Sequence, residues 1–104
     1  MALTRDFRET LQTRAQHDAS FRQAMLKEGI DTMLAGDVAT GKAILRDYIN
    51  ATVGFGKLAE ATNIPAKSLM RMLGPKGNPR AENLFQIIHQ LQLREGINLG
   101  VGPC

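Results

Sequence analysis

Apolar residues recur along the first half of the chain at the three- and four-residue spacing of a helix face. Leu3, Phe7 and Leu11 follow one another at intervals of four, and Thr4 stands where its hydroxyl can accept from the unpaired N–H groups that open a helix, predicted to run to about Gln16. Asp18 offers a second cap, ahead of a stretch to Ala35 in which Leu26, Ile30, Met33 and Leu34 form a stripe with Phe21 and Met25 beside it. Gly29 lies inside that stretch, and an interior glycine costs a helix about 1 kcal/mol relative to alanine. The pattern therefore allows one long helix or two shorter ones, ended either way by Gly36. Asp37 caps the next helix, predicted to about Asn50, where Ile44 pairs with Tyr48 and Leu45 with Ile49.

From Val53 the rhythm shortens. Phe55–Thr62 reads as one helix, Asn63-Ile64 as a turn, and Pro65 as a first-turn residue of a helix to Leu73, because its missing N–H would be unpaired there. Gly74-Pro75 stops that helix, and Lys76-Gly77-Asn78-Pro79 has the composition of a loop. Ala81–Leu93 carries Leu84, Ile87, Ile88 and Leu91 in the clearest amphipathic pattern of the chain. Ile97, Leu99 and Val101 alternate with polar residues or glycine, as a short strand would. The expected fold is all-α: an N-terminal helical extension over 1–36, a helical domain over 37–96 and a tail over 97–104.

With 104 residues, 43% hydrophobic and 22% charged, the chain fits one small globular domain. It holds no apolar run long enough for a membrane span and no hydrophobic leader, and its single cysteine, Cys104, can close no internal disulfide. A cytoplasmic protein is expected. The net charge of +3 is unevenly distributed: residues 1–50 carry seven basic and seven acidic side chains, residues 51–104 six basic and three acidic. Lys67, Arg71, Lys76 and Arg80 follow one another with no Asp or Glu between Asn63 and Ala81, a local charge of +4.

Few residues suggest bond-making chemistry. Gly36 to Lys42 follows the phosphate-loop spacing, but Ala43 stands where a magnesium-binding Ser or Thr is needed, and a helical stripe rather than a strand precedes it. His17 and His89 have no carboxylate or cysteine at metal-ligand spacing, and Ser20 and Ser68 lack a nucleophile's surroundings. No cofactor, no metal site and no enzymatic activity are expected. Met25, Met33 and Met72 read as core filling.

The segment Phe55–Leu73 is more specific. Leu58, Ala59, Ile64, Leu69 and Met72 are spaced so that two short helices joined by a tight turn share one core, as in a helix-turn-helix. Residues left off that core on the second helix are Ala66, Lys67, Ser68, Met70 and Arg71, with two cations four apart and no anion. Over about 40–94 the chain resembles the Cro and phage-repressor-like (XRE) helix-turn-helix family. Gly54-Phe55, Lys67-Ser68-Leu69, Arg71-Met72-Leu73, Gly77-Asn78-Pro79 and the turn Leu34 to Asp37 look most like its addiction-module antidote proteins, relatives of HigA-type antitoxins. Phe55 departs from the polar residue that often opens the motif, and Leu73 from the Glu often found near its end.

The resemblance implies a lambda-repressor-like bundle in which Ala66, Lys67 and Arg71 read base edges while Ser68, Lys76 and Asn78 lie along the DNA backbone. Arg80 opens the last helix, where the dipole disfavours a cation, so a backbone phosphate is expected beside it as well. It implies a repressor on a palindromic operator of double-stranded DNA, serving as antitoxin and autoregulator beside a toxin partner, or as the autoregulator of a mobile element. Apolar surface in excess of one buried face, at Phe85, Ile88, Leu99 and Val101, points to a homodimer. The alternative is a protein-interaction module that neutralises a toxin through residues 1–36 with little DNA binding; packing of those helices on the core is the simpler role.

Overall fold

A computed structural model describes residues 5–97 and 99. The described residues form six α-helices and no strand: α1 (Arg5–His17), α2 (Ala19–Leu34), α3 (Val38–Ala51), α4 (Phe55–Thr62), α5 (Ala66–Met72) and α6 (Ala81–Glu95). The fold is all-α. Asp18 and Asp37 act as predicted, each carboxylate accepting from the backbone N–H three residues on, Phe21 at 3.0 Å and Thr40 at 3.2 Å. Thr4 lies outside the described residues.

The most extensive helix contact is between α2 and α3. α2 runs unbroken through Gly29, and the reason for that glycine lies across the interface. A Cβ on Gly29 would sit 3.1–3.2 Å from the side chains of Leu45 and Ile44; one on Gly41 would sit 2.9 Å from the Gly29 carbonyl oxygen and 3.0 Å from the Met33 nitrogen. The two glycines let the helix backbones cross closely, and the burial gained there offsets the helix-propensity cost.

One hydrophobic cluster extends through the bundle. α2 supplies Leu26 and Ile30, α3 supplies Leu45, Tyr48 and Ile49, and the rest comes mainly from Phe55, Leu58, Leu69, Leu73, Ile87 and Leu91. Burying Leu26 and Ile30 stabilises by about 1.5–3 kcal/mol each, against a total stability of roughly 5–15 kcal/mol for a domain. α2 is thus part of the core, as expected if residues 1–36 pack on it. α1 is held more lightly: Ala15 is fully buried, but Phe7 is 54% exposed.

Two predicted stripes drift off the core for the same geometric reason. Each i,i+4 step overshoots a full turn by about 40°. Leu34 is therefore rotated by about 80° from Leu26 and is 56% exposed, while Met33 packs inward; Phe7 stands similarly to Ala15. The predicted strand is absent at its described positions. Ile97 N–H donates to the Gln92 carbonyl and Leu99 N–H to Gln92 Oε1, which folds both residues back against the core beyond α6. Val101 lies outside the described residues.

A buried polar knot ties the far ends of the chain together. The Glu95 carboxylate, 5% exposed, accepts from Arg22 Nε at 3.0 Å and from the Tyr48 hydroxyl at 2.7 Å, while Arg22 Nη1 donates to the Ala15 carbonyl at 2.7 Å. Side chains of α2, α3 and α6 and the backbone of α1 meet there. Burial, together with the hydrogen bond to anionic Glu95, pushes the Tyr48 hydroxyl well above the ordinary tyrosine range.

Replacement of Gly41 by Ala should lower stability by about 1–3 kcal/mol through overpacking. Gly56→Ala, where a Cβ meets nothing within 4 Å, should change stability by less than about 1 kcal/mol and in the favourable direction. Urea unfolding of the two variants checks the contrast. Because Tyr48 is the one tyrosine, absorbance near 295 nm follows it alone. Its folded value lies above its unfolded value of about 10, so its contribution to stability is complete below pH 10 and declines as pH rises beyond that. Folded protein should show no tyrosinate at pH 10.5, Gdm-unfolded protein should show most of it, and Tyr48→Phe should flatten the alkaline loss of stability.

Candidate nucleic-acid interface

α4 and α5 are joined by Asn63-Ile64-Pro65. Asn63 takes the left-handed conformation at φ 59°, a region Asn tolerates better than most residues, and this turns the chain within three residues. Pro65 is the N-cap of α5, one position before the first turn predicted for it, and its carbonyl accepts from Leu69 N–H at 3.0 Å. The two helices share Leu58, Leu69 and Leu73, all fully buried, with Ala59 and Ile64 partly buried beside them. Phe55 and Leu73, the departures from the resembled pattern, are both core residues. The end of α4 is tied to α6 by Gln86 Nε2, which donates to the Thr62 carbonyl at 2.9 Å.

The short helix α5 turns Lys67, Met70 and Arg71 outward, Met70 at 49% exposure. Ser68 is partly buried, and Lys76, Asn78 and Arg80 in the following loop are exposed. Ala66 differs from expectation. It is half-buried and packs against the core, because it lies about 60° from Leu69 around the helix axis, so its methyl is only partly available to a ligand. Among the described residues, Lys67, Arg71, Lys76 and Arg80 enter no ion pair, whereas Arg14, Arg22 and Lys27 of α1 and α2 each lie against a carboxylate. The charge imbalance of the sequence is thereby concentrated on one structural unit, α5 and its exit loop.

That unit is held from behind by α3. Lys42, only 6% exposed, donates from Nζ to the carbonyls of Gly77 at 2.6 Å and Gly74 at 3.1 Å, and Arg46 Nη1 donates to the Leu73 carbonyl at 3.2 Å. Two cations thus meet the carbonyls of Leu73, Gly74 and Gly77 just beyond the C-terminal end of α5, where the helix dipole favours positive charge. The loop also lies close against the helix it leaves. A Cβ on Gly77 would fall 2.5 Å from the Met72 carbonyl oxygen and nearer still to that of Arg71, so only glycine fits without a shift.

These contacts resolve the phosphate-loop spacing as structural. Gly36 follows the end of α2, Asp37 caps α3, Gly41 crosses Gly29 and Lys42 anchors the loop. Sequence reasoning did not find Lys42 and Arg46. The available signal was their four-residue spacing, on a helix upstream of a Gly-Pro-x-Gly turn. His17 and His89 are exposed, and no group of three or more His, Cys, Asp or Glu among the described residues could hold a metal ion.

Of the residues expected at a dimer contact, Phe85 is 65% exposed on α6, while Ile88 and Leu99 are partly buried against the chain's own core. Leu93, 62% exposed, joins Phe85 on the outer face of α6 and was not foreseen. No helix among the described residues is long and apolar enough to cross a membrane. No protein-family profile, curated protein or solved structure matches the chain.

Proposed function

We propose that this protein is a sequence-specific DNA-binding transcriptional repressor whose α5 enters the major groove. The observation that carries the reading is the set of four cations, Lys67, Arg71, Lys76 and Arg80, exposed without ion-pair partners on one helix and its exit loop. Lys67 and Arg71 lie on one face of α5 and have the donor chemistry to reach guanine O6 and N7; exposed Met70 beside them offers an apolar contact. Lys76, Asn78 and Arg80 suit phosphate, and Ser68, partly buried, lies nearer the helix flank. Ala66 takes a smaller share in the reading than the resemblance implies.

The resemblance to XRE-type antidotes extends the proposal to an antitoxin that represses its own operon from a palindromic operator in the cytoplasm. A homodimer serves such an operator, and Phe85 and Leu93 on α6 are the surface proposed for it. The alternative, toxin neutralisation by residues 1–36, draws less support because α2 is committed to the core.

An operator recovered by selection from random duplexes provides the test. Lys67→Ala and Arg71→Ala should each cost about 1–3 kcal/mol against that operator and relax choice at one or two base pairs. Lys76→Ala should weaken all duplexes almost equally and reduce the salt slope by about one unit. Equal, sequence-independent losses at all three positions would refute base reading. Sedimentation at tens of micromolar should give a dimer that Phe85→Asp converts to a monomer; a wild-type monomer, free and on the operator, would remove the dimer from the proposal.

A further inference from the structure

We infer that Lys42 is a positioning residue for phosphate contact: it fixes the loop Gly74–Asn78 on the end of α5, so that Lys76 and Asn78 are presented in register with Lys67 and Arg71. The inference rests on the DNA-binding reading and deepens it. Lys42 cannot serve as a phosphate ligand itself, since it is 6% exposed and its ammonium group is directed at the Gly74 and Gly77 carbonyls.

A lysine in that position is an unusual way to fill a core. An apolar side chain would fill the space without the desolvation of an ammonium group, and a carboxylate partner would balance its charge. Here the partners are backbone carbonyls three residues apart, one at each end of Gly74–Gly77, which a single ammonium group can bridge because it offers three donors. Gly77 N–H closes the same turn by donating to the Gly74 carbonyl at 3.0 Å, and the missing Cβ of Gly77 lets the turn lie on the Arg71 and Met72 carbonyls. Cross-link and close fit act on the same four residues, and Lys76 lies inside that turn. Lys42, Gly74 and Gly77 contribute no apolar side chain to the buried cluster.

The experiment is a double-mutant cycle on the full chain, with a fluorescein-labelled mixed-sequence duplex as the phosphate probe and the selected operator beside it. Lys42→Met should remain folded by circular dichroism, bind the mixed duplex about fivefold more weakly and lose about one unit of salt slope, matching Lys76→Ala. The double variant should be no weaker than Lys42→Met alone, because displacing the turn already removes the Lys76 contact. Gly77→Ala displaces the turn with Lys42 intact and should reproduce the loss.

Additive losses in the cycle, or folded Lys42→Met and Gly77→Ala proteins that bind as wild type while Lys76→Ala is weakened, would overturn the positioning role and leave the DNA-binding reading standing. Global unfolding of either variant would also overturn it, by making the residue a determinant of the core. Wild-type protein that fails to bind either duplex would instead remove the DNA-binding reading itself.

Discussion

The close crossing of α2 and α3 is the constraint from which the other contacts of the bundle follow. With Gly29 and Gly41 back to back, α3 is fixed in both depth and rotation, and each side chain that follows is committed to a direction. Lys42, next in sequence, reaches the turn after α5; Leu45 and Ile49 enter the core; Arg46 meets the last carbonyl of α5; Tyr48 reaches Glu95 on α6. Three helices, α2, α5 with its exit turn, and α6, are thus registered on one fourteen-residue helix. A larger residue at Gly41 would rotate or lift α3 and shift all of these contacts together, because a densely packed interior transmits displacement rather than absorbing it.

The polar knot at Glu95 sets the opposite end. A buried carboxylate is unfavourable unless its oxygens are matched, and here a guanidinium and a phenol satisfy it. Those partners come from α2 and α3, so the knot forms only when α6 docks against a pair that has already crossed. Hydrophobic burial supplies most of the stability, while the knot, through its directional hydrogen bonds, selects one angle of approach for α6 among several that would bury Ile87 and Leu91. Gln86 adds a second tie from α6, to the end of α4.

Helix positions were legible in the sequence because their signals are local. The caps at Asp18 and Asp37, the stop at Gly36, the Asn63 turn and the α6 stripe each depend on residues within one or two turns of chain. What could not be read depends on which surfaces meet. Gly29 looked like a helix weakness until α3 lay on it; the Gly41-Lys42 pair looked like a fragment of a nucleotide loop; no local signal marks Glu95 as the partner of Arg22 and Tyr48. Leu34 and Phe7 show the limit of spacing arguments, since a run of i,i+4 positions rotates steadily around the helix and a core face spans only part of that rotation. Of the candidate interface, the exposed cations were readable from charge order alone. Ala66 was misjudged because one helix face was inferred without knowing how close α5 lies to its neighbours.

The electrostatics of α5 favour a polyanionic ligand on stability grounds as well. A seven-residue helix has almost no intrinsic stability, so placing Lys67 and Arg71 at i,i+4, with Lys67 at the positive end of the helix dipole, works against it by a few tenths of a kcal/mol for each effect. No carboxylate within α5 or its loop relieves the repulsion, although the chain relieves comparable charges on α1 and α2. Instead Lys42 and Arg46 stand behind α5, adding positive charge while bonding the carbonyls of Leu73, Gly74 and Gly77 just beyond it. The helix is stabilised through its C-terminal carbonyls and its buried leucines, which leaves its outer face free to remain uncompensated. That arrangement is disadvantageous for the free protein, and under the proposed DNA-binding reading phosphates would supply the missing negative charge, with release of their counterions adding to the gain.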